Sequence, residues 1–197
     1  MMIIETIKAF FAIFAVMDAI GNAPIFISLT ERMSLKDHKA IANKSAFVAA
    51  ILLFIFLFFG NQIMRFFGIS IGSFKIAGGI LLFIIGIKMI FGLSFLEKHV
   101  SKYTIAIVPL ATPLITGPGV ITATIIAVHE YGYIPAVIAA SANLIISWLS
   151  YRESHFINRI LGKQGGEVLS RVMGIILAAL AIEFVFGGLM LLIKAAG

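Results

Sequence analysis

Six runs of predominantly apolar residues, at 7–29, 41–60, 73–91, 103–128, 133–151 and 172–193, take up most of this 197-residue chain. Each is close to the ~20 residues that a helix needs to cross a hydrocarbon core of ~30 Å. The connections between them are short and polar, as in LTERMSLKDHK, LEKHVSK and YRESHFINRILGKQGGE. Composition agrees: 61% of residues are hydrophobic, 12% are charged and the mean hydropathy is +1.11, whereas soluble domains average roughly 45–50% apolar and about 25% charged. The expected fold is an all-α membrane protein with six transmembrane helices and the lipid bilayer as its solvent.

Several function classes drop out. The chain has no cysteine, which excludes disulfides and thiolate metal sites. Its net charge of +6 could suggest nucleic acid, but the basic residues lie almost entirely between the apolar runs, where membrane proteins place them. No nucleic-acid partner is expected. Residues 10–17 could serve as the apolar stretch of a cleaved signal, but Glu5 precedes them and no A-x-A site follows, so they read as part of the first span. His129-Glu130 is followed by Tyr-Gly-Tyr and makes no H-E-x-x-H zinc helix. The four histidines lie in loops or at span ends, and neither a G-x-S-x-G elbow nor a Walker motif occurs. An enzyme is not expected, nor a metal or a cofactor beyond a coupling H⁺ or Na⁺.

The connections after spans one, three and five hold ten Lys/Arg: Arg32, Lys36, Lys39, Lys44, Lys98, Lys102, Arg152, Arg159, Lys163 and Arg171. The other side holds four, Lys8, Arg65, Lys75 and Lys194. The positive-inside rule then puts both termini outside the cytoplasm, in a plasma-membrane protein.

Sliding the chain against itself by 96 residues superposes Gly21 on Gly117, Lys75 on Arg171, Gly78 on Gly174 and Gly92-Leu93 on Gly188-Leu189. Each unit holds three spans, so the second copy inserts upside down relative to the first. The division expected is a first three-helix repeat over 1–92, a cytoplasmic linker over 93–103 and a second, inverted three-helix repeat over 104–197, within one membrane domain. Inverted repeats recur in secondary transporters, which bind substrate near mid-membrane where interrupted helices of the two halves meet. A duplicated scaffold without transport is the alternative.

The fourth run carries Gly117-Pro118-Gly119 near its middle, with Pro109 and Pro113 one turn apart before it. Pro118 has no N–H and its ring clashes with the preceding turn, and the flanking glycines weaken the helix further. The matching place in the first run reads Asp18-Ala19-Ile20-Gly21-Asn22-Ala23-Pro24. Asn22 is a favoured N-cap and Pro24 suits the first turn after it. Spans one and four are therefore expected to be discontinuous, with half-helices restarting at Ala23 and Pro118. Such N-termini offer unpaired N–H groups to an anion, and the carbonyls that end the preceding half-helices suit a cation, so a zwitterion fits both. Gly21, Asn22, Ala23, Pro24, Thr116, Gly117, Pro118 and Gly119 are the candidate substrate-binding residues. Simple packing kinks are the competing reading.

Two carboxylates fall inside spans: Asp18 beside the first break and Glu183 midway along AALAIEFVFGG. Acids in the hydrocarbon region are costly and usually face a cavity or carry protons, which makes both candidates for ion or proton coupling. The alternatives are a capping role for Asp18 and a buried neutral Glu183. Lys75 and Lys88 sit near the ends of span three and read as snorkelling anchors. Asn143 and Ser147, one turn apart with Ser141 near them, read as interhelical hydrogen-bonding groups.

The stretches DAIGNAPIF (18–26), FGISIGSFKIAGGILL (67–82), PLATPLITGPGVIT (109–122) and RVMGIILAALAIEF (171–184) resemble the MarC family of integral membrane proteins in order and spacing, across nearly the whole chain. The resemblance implies six spans, and some members are described as transporters of small neutral amino acids such as glycine and alanine. The first family motif falls on Asp18, Gly21, Asn22 and Pro24, and the second on Pro109, Pro113, Gly117, Pro118 and Gly119. This chain departs from the family with Ala19 where proline often follows the acid, and with Glu183 where glutamine is common. The resulting expectation is a secondary transporter of small neutral amino acids, H⁺- or Na⁺-coupled, working by alternating access around a midplane site. The alternatives are a non-transporting scaffold or regulator, and an exporter or channel for another small solute. A homo-oligomer is compatible with either.

Overall fold

The computed structural model describes residues 2–30, 33–93 and 115–196. Among these the chain is helical throughout: α1 (Met2–Met17), α2 (Ala23–Thr30), α3 (Leu35–Phe66), α4 (Ile71–Ile90), α5 (Pro118–Tyr131), α6 (Tyr133–Arg152) and α7 (Ser154–Ala196). The last is bent at Gly162, whose φ of 64° and ψ of 175° leave the helical region. Four segments are long and apolar enough to cross a bilayer: α3, α4, α6 and Gln164–Ala195 within α7. The sequence led to six. The first expected span is divided at 18–22 into pieces of 16 and 8 residues, roughly 24 and 12 Å at 1.5 Å per residue, so neither meets that length alone. The first half of the fourth span, with Pro109 and Pro113, lies outside the described residues, as does the linker beyond Leu93.

The helix ends follow local chemistry. Ser34 caps α3, its Oγ accepting from Asp37 N at 3.2 Å, and Ser70 caps α4, accepting from Ser73 N at 3.1 Å; each satisfies one donor that the helix itself leaves open. A single residue, Gly132, turns α5 into α6 with φ 87°, a conformation that costs a residue with a Cβ far more.

Helix α5 is the hub. Every residue from Thr122 to Val128 is buried, with α1, α3, α4 and α6 packed around it, which is why its sequence is apolar on all faces. Around it α6 lies beside α1 and runs the same way. Asn143 Nδ2 donates to Phe10 O at 3.1 Å and Ser147 Oγ to Met17 Sδ at 2.9 Å, the interhelical bonding expected of these residues.

The most extensive helix–helix contact joins α4 to α7. Gly72 faces Gly188, Gly79 faces Ala181 and Gly86 faces Gly174; one number rises as the other falls, so the helices are antiparallel. A Cβ on Gly79 would stand 2.7 Å from Ala181 O, and one on Gly188 2.7 Å from Gly72 O. Backbone touches backbone here, the contact that small residues permit in a membrane. The outward faces carry Ile80, Phe83, Ile84, Ile175, Ile182 and Phe186, all exposed. Polar groups go inward: Asp18, Lys75, Thr124, Asn143 and Ser147 are all buried.

One end of the bundle gathers basic connections. Lys39 pairs with Glu153 at 3.3 Å, and Arg152 Nη1 donates to Asn43 Oδ1 at 3.2 Å. This is called the basic end below, and the end where α5 meets α6 the opposite end.

Candidate functional site at the α1–α2 break

Helix α1 stops at Asp18, which adopts a left-handed φ of 41°. Its N–H still bonds Phe14 O at 3.0 Å, so Asp18 takes the left-handed terminating position that, where helices end this way, Gly or Asn usually holds. The chain then turns tightly, with Asn22 N on Asp18 O at 2.9 Å and Ala23 N on Ile20 O at 3.2 Å. Asn22 O accepts from Phe26 N at 3.0 Å, the first bond of α2, so Asn22 starts that helix as its sequence suggests. Its side chain serves the other helix instead. Nδ2 donates to Met17 O at 3.2 Å, filling a carbonyl that the end of α1 leaves open.

The Asp18 carboxylate is 7% exposed. It accepts from the Gly21 N–H and from Ser170 Oγ of α7. A Cβ on Gly21 would collide with Ser170 Oγ and both Asp18 oxygens; the glycine is what lets α7 approach. Beyond it, Tyr151 is hydrogen-bonded to the Asn22 side chain and stacks on Phe26 at 5.1 Å between centroids. Tyr151 O lies 3.1 Å from His38 Nε2. His38 also meets Thr30 Oγ1 through Nδ1 at 2.8 Å and Ser154 Oγ through Nε2 at 3.1 Å. A series of polar contacts thus runs from the break through Asn22 and Tyr151 to His38, with Tyr151 1% exposed and His38 2%.

The second segment arrives alongside. Gly117 is the N-cap of α5 and Pro118 its first residue, as their order predicts. Ile121 N bonds Gly117 O at 3.1 Å, while no side chain caps the helix. Thr116, fully buried, donates to Ala49 O at 3.1 Å. A Cβ on Gly119 would lie 3.0 Å from Val16 Cγ1, so the start of α5 abuts α1 two residues before Asp18. The start of α5 therefore lies against the last turn of α1, while Gly21 faces Ser170 of α7. Ala23 and Thr116 are buried, Gly21, Asn22, Pro24 and Gly117 half-buried, and Pro118 exposed.

Glu183 is not part of this group. It is exposed on the outer face of α7, two residues from Ala181, which faces α4. Lys75 also departs from its reading as an interfacial anchor. It is 5% exposed and paired with Glu130 of α5, Nζ to Oε1 2.5 Å, with Gly187 of α7 against its side chain. The acid at the same depth on the next helix draws the ammonium inward. Ser170, Tyr151 and His38 were missed. Ser170 carries no local signal, being an ordinary serine on an apolar helix 152 residues from its partner. His38 and Tyr151 each sit one helix end away from where a sequence reading looks for a site.

These features define a multi-pass α-helical membrane protein that draws charged and hydrogen-bonding side chains into the centre of its bundle. The chain belongs to the MarC family of integral membrane proteins, whose model matches residues 3–193. It is similar to a UPF0056 membrane protein of Archaeoglobus fulgidus, 41% identical over 192 residues, covering 92% of this chain and 90% of that one. It is also similar to the UPF0056 membrane proteins MJ1677 of Methanocaldococcus jannaschii (37% over 194 residues, 93% and 95% covered) and YhcE of Escherichia coli (37% over 194 residues, 92% and 90% covered). No solved structure matches the chain.

Proposed function

We propose that the chain is a plasma-membrane secondary transporter of small neutral amino acids of the glycine and alanine class, coupled to H⁺ or Na⁺. The observation that carries this reading is the start of α5 at Gly117–Gly119 lying against the end of α1, where the buried Asp18 carboxylate precedes the start of α2. An uncapped N-terminus attracts a substrate carboxylate, and Asp18 with the carbonyls ending α1 attracts an ammonium. Spans one and four are read as discontinuous, and the two halves as an inverted repeat. The antiparallel α4 and α7 support this, because the 96-residue shift relates Leu82 to Ala178 near the level where these helices cross. Asp18, buried and hydrogen-bonded, is the better placed of the two acids to carry a coupling ion.

The test is counterflow of labelled glycine or alanine into proteoliposomes preloaded with the unlabelled amino acid. Accumulation above empty liposomes, lost in Asp18→Asn, supports the reading. Absence of exchange under H⁺ and Na⁺ gradients favours a non-transporting scaffold or regulator, and ion conductance without exchange favours a channel.

A further inference from the structure

Helices α4 and α7 touch through backbone along three glycine levels, Gly72–Gly188, Gly79–Ala181 and Gly86–Gly174. Sliding or parting this pair would lose those backbone contacts. Between its ends, its seam with the rest of the bundle is apolar: Gly78 against Thr122 Cγ2, and Leu82 and Ile85 against Gly119.

Strong polar contacts tie this pair to the bundle at two places of opposite depth. Near the basic end Ser170 of α7 donates to Asp18 at the α1–α2 break. Near the opposite end Lys75 of α4 is paired with Glu130 in the last turn of α5, with His129 Nδ1 3.9 Å from the same carboxylate oxygen. The repeat links one residue of the second attachment to a neighbour of the first. A shift of 96 carries Lys75 onto Arg171, the residue after Ser170, whose guanidinium lies against Gly92 at the end of α4.

We propose that Asp18–Ser170 and Lys75–Glu130 are two latches that close the transport path at opposite ends, one releasing while the other holds. The proposal rests on the transporter reading and names the residues that would alternate access in it. The break itself carries the basic-end latch, and Lys75–Glu130 lies toward the opposite end from it. Parting Ser170 from Asp18 opens it toward the basic end, where Pro24 already leans on Gly166. Parting Lys75 from Glu130 opens the wall between α4 and α5 toward the opposite end. The fully buried state of Ala23, Thr116 and Tyr151 is then the state with both latches made. A carboxylate that must choose between Ser170 and a substrate ammonium gives the substrate its hold on the basic-end latch.

The test needs no substrate, so its failure is separable from failure of the transporter reading. The chain has no native cysteine, and Ser147→Cys places one isosteric thiol in the buried core beside Met17. Its labelling by a membrane-impermeant thiol reagent is followed in vesicles of each orientation, with the exposed positions Lys36→Cys and Arg65→Cys marking the two ends. Adding Glu130→Gln should raise labelling from the opposite end about tenfold, the factor for a latch worth about 1.4 kcal/mol, with no rise from the basic end. Adding Ser170→Ala should do the reverse. The reversed pair Lys75→Glu with Glu130→Lys should return labelling to the starting rate, and it decides the case should Glu130→Gln assemble poorly. Labelling that rises at the same end in both variants, that moves in neither, or that the reversed pair leaves raised overturns the proposal. Reciprocal labelling in a protein that exchanges no amino acid would keep the latches and discard the proposed substrate.

Discussion

The α4–α7 seam makes a sharp prediction about two glycines that look alike in the sequence. In Gly79→Ala the new methyl would lie 2.7 Å from Ala181 O and 3.1 Å from Val185 N. Both are backbone atoms of a helix, with no rotamer to yield. Ordinary contact begins near 3.4 Å, so the helices must separate locally by about 0.7 Å. A gap of that size forfeits roughly a quarter to a half of the dispersion energy of the atoms lining it, and overpacked sites cost about 1–3 kcal/mol. Alanine returns up to about 1 kcal/mol through helix propensity. The net expectation is a loss of about 1–2 kcal/mol. Gly166 also lies within α7, but its Cβ would meet only Pro24 Cγ at 3.4 Å. Gly166→Ala should be neutral or stabilising by up to about 1 kcal/mol. Unfolding in mixed micelles, read against denaturant for both variants, gives the difference. Equal stability of the two, or a more stable Gly79→Ala, would refute the close-packed seam and the antiparallel register read from it.

Gly21→Ala should leave a folded protein with the Asp18–Ser170 contact displaced; we expect exchange activity to fall at least tenfold while gel-filtration behaviour is kept, and full activity would mean that α7 does not close on the break as described. Glu183→Gln should change neither stability nor the pH profile of exchange, because the side chain is exposed on the outer face of α7; a shifted profile would return Glu183 to the mechanism. Asn143→Leu removes the donor to Phe10 O and to Ala139 O. Interhelical hydrogen bonds in membranes average about 0.6 kcal/mol, so the loss should stay near 1 kcal/mol by the same micelle assay. A loss several times larger would show that Asn143 holds more than α1.

The starts of α2 and α5 were legible because their causes are local. Proline without an N–H at 118, flanked by glycines, and Asn22 ahead of Pro24 can each be read within a few residues, and the helices restart at Pro118 and Ala23 as those residues dictate. The interhelical role of Asn143 and Ser147 followed from their spacing alone. What the sequence withheld depends on which helices become neighbours. A lysine near the end of a span either snorkels or turns inward, and only Glu130 on the adjoining helix decides for Lys75. The exposure of Glu183 was in principle readable. Gly174, Ala181 and Gly188 repeat every seven residues and mark the face toward α4, and a residue two positions from Ala181 lies about 200° around the helix, on the far side. The small-residue face, read first, would have turned the acid outward. The 152-residue separation of Asp18 and Ser170 left no such trace.

A substrate site at the break requires the end of α1 and the start of α5 to meet beside Asp18. A disulfide between Val16→Cys and Gly119→Cys tests this directly, since a Cβ at 119 would stand 3.0 Å from Val16 Cγ1 and a disulfide forms only with Cα atoms within about 7 Å. With a protease site inserted after residue 97, oxidised protein should remain one band after cleavage and separate on reduction. Two bands under every oxidising condition, from protein that is folded and membrane-inserted, would contradict the account.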